Sequence, residues 1–282
     1  MAFEVRKLNP TFGAEVLGID LTKEITADIL DKFKSLWAEH QLLLFRGQSL
    51  EEKDAVAFSG LLGELEIHVR REYLSPENPE ILYVSNMKVD GKAIGILSDT
   101  EVGWHYDQIY LPRPAVGSLL YAVTLPTNGG QTSFADMSAA YESLSDDIKA
   151  TLKGRKAVQS YEAFNNQYSV PTNSDQKKRT PDIEQPVIRT HPISGRKALY
   201  ICPGMTTQIV GLPEDESRDL LDYLFDWSVK PEFVYNHNWA HGDALLWDNA
   251  ATMHRREPFD GDEERLMKRT TILPPADLAV PV

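Results

Sequence analysis

The sequence predicts a mainly β chain with helices (α+β), its core a jelly-roll barrel decorated with flanking helices and long insertions. Three observations predict it. Short apolar runs recur between glycine-bearing turns, most densely in the last third. Helical periodicity gathers towards the N-terminal half and within insertions. No shift of composition marks a place to divide the chain, so residues 1–282 read as a single domain, an ordinary size for one closed or sandwiched sheet.

Residues Phe12 to Leu21 alternate loosely and carry glycine at both bends, a strand with a turn. From Thr26, a candidate N-cap, Ile29, Phe33, Leu36 and Trp37 fall at helical spacing. Leu42-Leu43-Leu44-Phe45 is too short for a helix and reads as a buried strand. Ser49-Leu50-Glu51-Glu52 reads as a capping box opening a second helix that carries Val56, Phe58 and Leu62, with Gly63 as its stop.

Residues Glu64 to Gly103 are turn-rich, with strand-like Ile81 to Val84 and an Asp90-Gly91 turn, and such a segment before a metal motif suits a substrate lid. Gly117 to Val123 reads as a strand, and Asn128 to Thr132 as a turn leading into another. Asp136 and Ser145 are placed to cap helices reaching Tyr141 and Leu152, the second closed by Gly154. Gln159 to Thr180 is a polar insertion bearing Tyr161, Phe164 and Tyr168.

A hairpin is expected over Pro186 to Thr190 and Lys197 to Ile201, then a helix from Pro213 burying Leu220, Leu221, Leu224 and Phe225. Strands follow at Phe233 to His237, Ala244 to Trp247 and Met267 to Leu273.

Charge excludes some classes of partner. With 29 Lys+Arg against 42 Asp+Glu the formal net charge is −13, which argues against a nucleic-acid or anionic-membrane surface. Cys202 is the one cysteine, so neither an intrachain disulfide nor a cysteine-based zinc cluster can form. The first residues lack an apolar leader and no window reaches transmembrane length, so a cytoplasmic location is expected.

The chemistry centres on Trp104-His105-Tyr106-Asp107. Residues two apart on an extended strand face the same side, so His105 and Asp107 can hold one metal ion, with His254 as the third ligand. Two histidines and one carboxylate with open positions opposite is the pattern of a non-heme Fe(II) oxygenase. Alternatives stay open: an incidental half-buried histidine, a zinc hydrolase, or a non-catalytic, cupin-like metal-binding protein. No carboxylate stands beside the ligands as an obvious general base for hydrolysis. Of the other histidines, His40 suits a helix end, and His237 and His241 near a turn are expected to be exposed. Trp104 and Trp247 are expected to serve packing.

His105/Asp107, Thr132, His254 and the run Arg265-Leu266-Met267-Lys268-Arg269 follow one another in order. To these add Gly13 to Leu21, Phe45-Arg46-Gly47-Gln48, Gly129-Gly130-Gln131-Thr132, Arg189-Thr190-His191-Pro192 with Ser194-Gly195-Arg196-Lys197, and Trp247-Asp248-Asn249. Over nearly its full length the chain thus resembles the taurine dioxygenase/2,4-dichlorophenoxyacetate dioxygenase (TauD/TfdA) family of Fe(II)- and 2-oxoglutarate-dependent oxygenases.

The resemblance implies a double-stranded β-helix, with His105, Asp107 and His254 as the iron ligands and catalytic centre. It implies that Arg265, eleven residues after His254, pairs with the distal carboxylate of 2-oxoglutarate, and that Thr132 hydrogen-bonds the same group. An arginine fork matches a carboxylate, and a hydroxyl completes the anion's hydrogen bonds. Arg269 and His68 match substrate-binding positions. Arg71, Glu101 and Met205 stand where the taurine enzyme has tyrosine, asparagine and phenylalanine, which argues against taurine, while Arg269 keeps an anionic substrate. His191 matches no ligand position and reads as structural.

The implied reaction uses O2 to oxidise, foremost to hydroxylate, a C–H bond of a small anion: a sulfonate, a sulfate ester, an aryloxyalkanoate or another carboxylate. 2-Oxoglutarate leaves as succinate and CO2. Asp107 argues against halogenation, because halogenating relatives lack that carboxylate. A homo-oligomer, dimer or tetramer, is implied.

Overall fold

A computed structural model describes residues 3–96, 100–167 and 173–275. Leu42–Phe45 offers no polar face to water, and all four side chains are buried. It lies inside a seven-stranded sheet, ordered Glu4–Lys7, Ala14–Leu17, Leu42–Phe45, Ala244–Asp248, Gly117–Thr124, Leu266–Ile272, Leu82–Ser85. Pairing is antiparallel except between the second and third of these strands. A four-stranded antiparallel sheet runs Val234–His237, Thr132–Asp136, Thr252–Arg256, Val102–His105. Phe134 of the small sheet meets Trp247 of the large one at 5.7 Å between ring centroids, so the two sheets share an apolar layer. Strands outnumber helices, and the architecture is mixed, with strand dominant.

Helix Ala27–His40 covers the outer face of the large sheet through Ile29, Phe33 and Trp37. Its approach is set by Gly117, where a Cβ would stand 2.2 Å from the Trp37 ring and 2.6 Å from the Trp247 carbonyl oxygen. On the far side, Glu214–Ser228 buries Leu221 and Leu224 against the second core. The capped helices Met137–Glu142 and Asp146–Leu152, the Ile188–Thr190/Lys197–Leu199 hairpin and the final strands lie where the sequence puts them. Among the described residues no helix is long and apolar enough to cross a membrane.

Several expectations are corrected. The second helix spans Glu52–Gly60, and its capping box joins Glu51 to Asp54 instead of starting at Ser49. Gly63 is no helix stop: the helix ends three residues earlier, at Gly60, and a Cβ on Gly63 would lie 2.8 Å from Ile272 Cγ2, so the glycine serves a close approach of two segments of the chain. The strand Glu4–Lys7 escapes sequence reading because all four residues are exposed and show no apolar alternation. Among its described residues the insertion forms two short helices, Tyr161–Gln167 and Ser174–Arg179. His237 is fully buried rather than exposed, held between Tyr235 and Asp243.

Candidate active site

The strand Thr252–Arg256 lies between Thr132–Asp136 and Val102–His105, and its register sets His254 directly opposite His105. Their ring centroids are 4.2 Å apart. Asp107 follows the end of the His105 strand and is turned back by Gln108, whose φ of +60° is uncommon for a residue with a side chain. Asp107 Oδ1 then lies 4.0 Å from His105 Nε2 and 4.0 Å from His254 Nε2. All three ligand atoms fall within 4.8 Å of one another. Donor atoms about 2.1 Å from a shared ion stand about 3–4 Å apart, so the three side chains fit one metal ion with little adjustment.

Electrostatics favour that use. Burial lowers the pKa of both imidazoles, His254 far more, and the second ring lowers His254 further, so both rings are neutral with lone pairs available. His105 Nδ1 lies 2.8 Å from the Gly103 carbonyl oxygen, to which it donates as N–H, and this leaves the Nε2 lone pair, on the side of Asp107, free to bind. Burial alone would raise the Asp107 pKa. Arg269, His254, His105 and the Ser118 hydroxyl outweigh it and hold the group well below the usual carboxylate range. Ser118 donates to Asp107 Oδ2 at 2.9 Å and Arg269 Nη1 to Oδ1 at 3.0 Å.

Behind the triad is a cavity of about 900 Å³, lined in part by both sheets. Arg265 is 1% exposed on its wall, and its Nε and Nη1 have no hydrogen-bond partner among the described residues. Burial, and then the charge of Arg256, push its pKa down to about 9. An arginine so desolvated lacks an anion. Gly130 permits its position: a Cβ there would come within 3.3 Å of Arg265 Nε. Thr132 lines the same cavity, and its Oγ1 accepts from Trp239 Nε1 at 2.9 Å, which leaves the hydroxyl hydrogen free to donate.

The other sequence-derived residues divide. His68, Glu101, Met205 and Arg269 line the cavity. Glu101 is at the exposed rim, 3.5 Å from Arg255, and Met205 is buried. Arg71 does not join them. It is exposed, because the 3-10 turn Arg71–Tyr73 carries its side chain outward while Arg70 and Tyr73 line the wall instead. Tyr161 and Phe164 of the polar insertion line the cavity, whereas Tyr168 lies outside the described residues. His191 is structural: its Nε2 donates to Asp248 Oδ2 at 2.6 Å, and its Nδ1 accepts two backbone N–H groups.

Sequence reasoning missed Arg256, Ser118 and Trp239, and within the His68 to Tyr73 segment it chose Arg71 where Arg70 lines the wall. Arg256 alone had a signal, since it falls two residues beyond His254 on a strand and so faces the same side.

Comparison with known proteins agrees with this geometry. The sequence model of the taurine catabolism dioxygenase TauD, TfdA family matches residues 4–271. The chain is 33% identical to an (S)-phenoxypropionate/alpha-ketoglutarate dioxygenase of Sphingobium herbicidovorans, over 96% of this chain and 95% of that protein. It is also 33% identical to an alpha-ketoglutarate-dependent 2,4-dichlorophenoxyacetate dioxygenase of Cupriavidus pinatubonensis, over 97% and 98%. The crystal structure of AAD-2 in complex with Mn(II) and N-oxalylglycine superposes with a TM-score of 0.84 at 30% identity, covering 99% of this chain and 100% of that one. The chain belongs to the TauD/TfdA family of dioxygenases.

Proposed function

We propose that His105, Asp107 and His254 hold Fe(II), that Arg265 and Thr132 hold the distal carboxylate of 2-oxoglutarate, and that the substrate is an aryloxyalkanoate. As a family member the chain is an alpha-ketoglutarate-dependent dioxygenase, an enzyme that needs iron, 2-oxoglutarate and O2. In this reading residues 1–282 form one domain whose two facing sheets are the halves of a double-stranded β-helix. The observation that carries it is Arg265: a buried guanidinium with unmade hydrogen bonds, opening on the cavity that also holds the triad.

Iron bound at the triad, with 2-oxoglutarate and O2, supplies the oxidant for a C–H bond while the co-substrate leaves as succinate and CO2. The protein's part is position. His105 and His254 present neutral nitrogens, and Ser118 and Arg269 fix the plane of the Asp107 carboxylate. Arg265 anchors one end of the co-substrate and so sets the reach of the other. Tyr73, Phe164 and Met205 give the substrate lobe an apolar wall, which suits an aryl body and excludes water. Arg269 and His68 belong to the same lobe and favour an anionic head. Hydroxylation of the carbon beside the ether oxygen of an aryloxyacetate yields a hemiacetal that collapses to a phenol and glyoxylate.

The test is aerobic turnover of the Fe(II)-reconstituted enzyme with 2,4-dichlorophenoxyacetate, (S)-2-phenoxypropionate, an alkyl sulfate and taurine, following succinate and phenol. Equal yields of succinate and phenol from an aryloxy acid are expected. Product from the sulfate or taurine alone would overturn the substrate class.

A further inference from the structure

The cavity holds more cationic side chains than the co-substrate uses. Arg265 is committed to the co-substrate end, and Arg256 donates to the carbonyl oxygens of Thr100 and Glu257. Arg255, on the same strand, is not part of the lining and pairs at 3.5 Å with both Glu101 and Glu257. Arg269 faces two carboxylates: its Nη1 is 3.0 Å from Asp107 Oδ1, and the half-buried Glu66 feels its charge. Its positive charge is therefore largely countered before any substrate arrives.

Arg70 shares with Arg265 and Arg269 a buried Nε that has no hydrogen-bond partner among the described residues, and differs from Arg269 in having no carboxylate close by and from Arg265 in not being claimed by the co-substrate. Its side chain is only 13% exposed and it lines the cavity, and its Nε is buried with no hydrogen-bond partner among the described residues. Its nearest carboxylate, Glu72, is 3.9 Å away on a side chain 56% exposed to water, a contact of little worth. A buried guanidinium N–H left unmade costs free energy unless a ligand meets it. The Arg70 backbone N–H donates to His68 Nδ1 at 3.1 Å, so the neutral His68 ring carries its proton on Nε2 as a second donor in the same wall. Burial, with the charges of Arg269 and Arg70, lowers the His68 pKa to about 4 and keeps that tautomer neutral at pH 7.

We propose that Arg70, with His68 as a neutral second donor, is the residue that selects an anionic substrate over its uncharged analogue. This rests on the reading of the cavity as the site of a 2-oxoglutarate-dependent oxidation of a small anion. Arg269 then orients the head group close to Asp107, while Arg70 supplies the net charge that the head group neutralises. The expected substrate has one carboxylate, or an equivalent monoanion, within reach of the His68–Tyr73 segment and its apolar body against Phe164 and Met205.

The experiment compares wild type, Arg70→Gln and Arg70→Lys, each loaded with Fe(II) and 2-oxoglutarate without oxygen. Binding of 2,4-dichlorophenoxyacetate, its uncharged amide, an alkyl sulfate and taurine is read from the shift of the visible chelate band. Arg70→Gln should weaken the best-bound anion at least tenfold and leave the amide within twofold. The 2-oxoglutarate affinity, read from formation of the band itself, should also stay within twofold. Arg70→Lys should recover most of the anion affinity. Equal loss of anion and amide, or no loss of either, overturns the proposal. An alkyl sulfate bound in place of the aryloxy acid overturns the substrate class alone, because the Arg70 comparison is then made on the sulfate. A wild type that forms the band but binds no anion overturns both, and a wild type that forms no band overturns the co-substrate assignment.

Discussion

The two ends of the cavity are built differently. At the co-substrate end, Thr132 opens a strand in the middle of the small sheet, and Arg265 immediately precedes a strand paired on both sides. Both are buried and both are fixed by neighbours: Trp239 on the Thr132 hydroxyl, Gly130 against the Arg265 side chain. At the substrate end Arg269 also stands on a strand paired on both sides, but much of the wall around it is a 3-10 turn, a seven-residue helix and the exposed Glu101. Ladder hydrogen bonds hold the first end to a geometry that the reaction needs, while short segments with few such bonds form much of the second. One end is suited to a constant partner and the other to a variable one.

The contrast can be broken hardest at the triad. Asp107→Ala should reduce succinate release to background with every substrate and should lower bound iron, measured by metal analysis after desalting. Full turnover in this variant would remove Asp107 from the ligand set. Arg265→Gln comes next: opening a buried ion pair costs about 3–5 kcal/mol, so KM for 2-oxoglutarate should rise by about 100-fold or more. If the contrast holds, substrate binding to whatever chelate forms is little changed.

Ser118→Ala sharpens it further. The Asp107 carboxylate loses one of its two donors, Ser118 and Arg269, and should lose about tenfold in iron affinity, in line with the loss of a partner that orients a ligand. The smallest effect is expected at Glu52, which accepts from Ser75, Asn78 and Tyr83 and pairs with Lys268 at 2.9 Å, tying the segment that follows Arg70 to the large sheet. Burial opposes its ionisation, but these four partners bring its pKa down to about 2. Its folded pKa is thus below the ordinary 4.5, so its contribution is whole above pH 4.5 and fades as the pH falls towards about 2. Glu52→Gln should cost roughly 1–2 kcal/mol in urea unfolding at pH 7, less at pH 3, and raise KM for substrate more than for 2-oxoglutarate. A uniform rise in both would erase the distinction between the two ends.

How much of this could be read from residues alone follows the same division. Leu42–Phe45, the capped helices and the terminal strands were legible because burial there leaves a run or a period in the sequence. His105, Asp107, His254, Thr132 and Arg265 were legible as an ordered set, and the structure brings all five to one cavity. The substrate wall was legible only in part: His68, Glu101, Met205 and Arg269 line the cavity, and Arg71 does not. Choosing Arg71 over Arg70 is a one-residue error that no periodicity could prevent, because a 3-10 turn turns adjacent side chains to opposite environments and the sequence does not announce its phase. Ser118 and Trp239 act on Asp107 and Thr132 from distant points of the chain, so only the fold reveals them.

Gly117 links two parts of the molecule that have no common chemistry. It pairs with both Asp248 and Ile272, and the next residue is the serine that holds Asp107. Because its missing side chain is filled by the Trp37 ring, the first helix cannot lift without exposing the backbone beside that serine. Opening of the outer layer should therefore loosen the Ser118 contact to Asp107 in the same step. On gradual heating, bound iron should be released together with the melting of helix Ala27–His40, not after it.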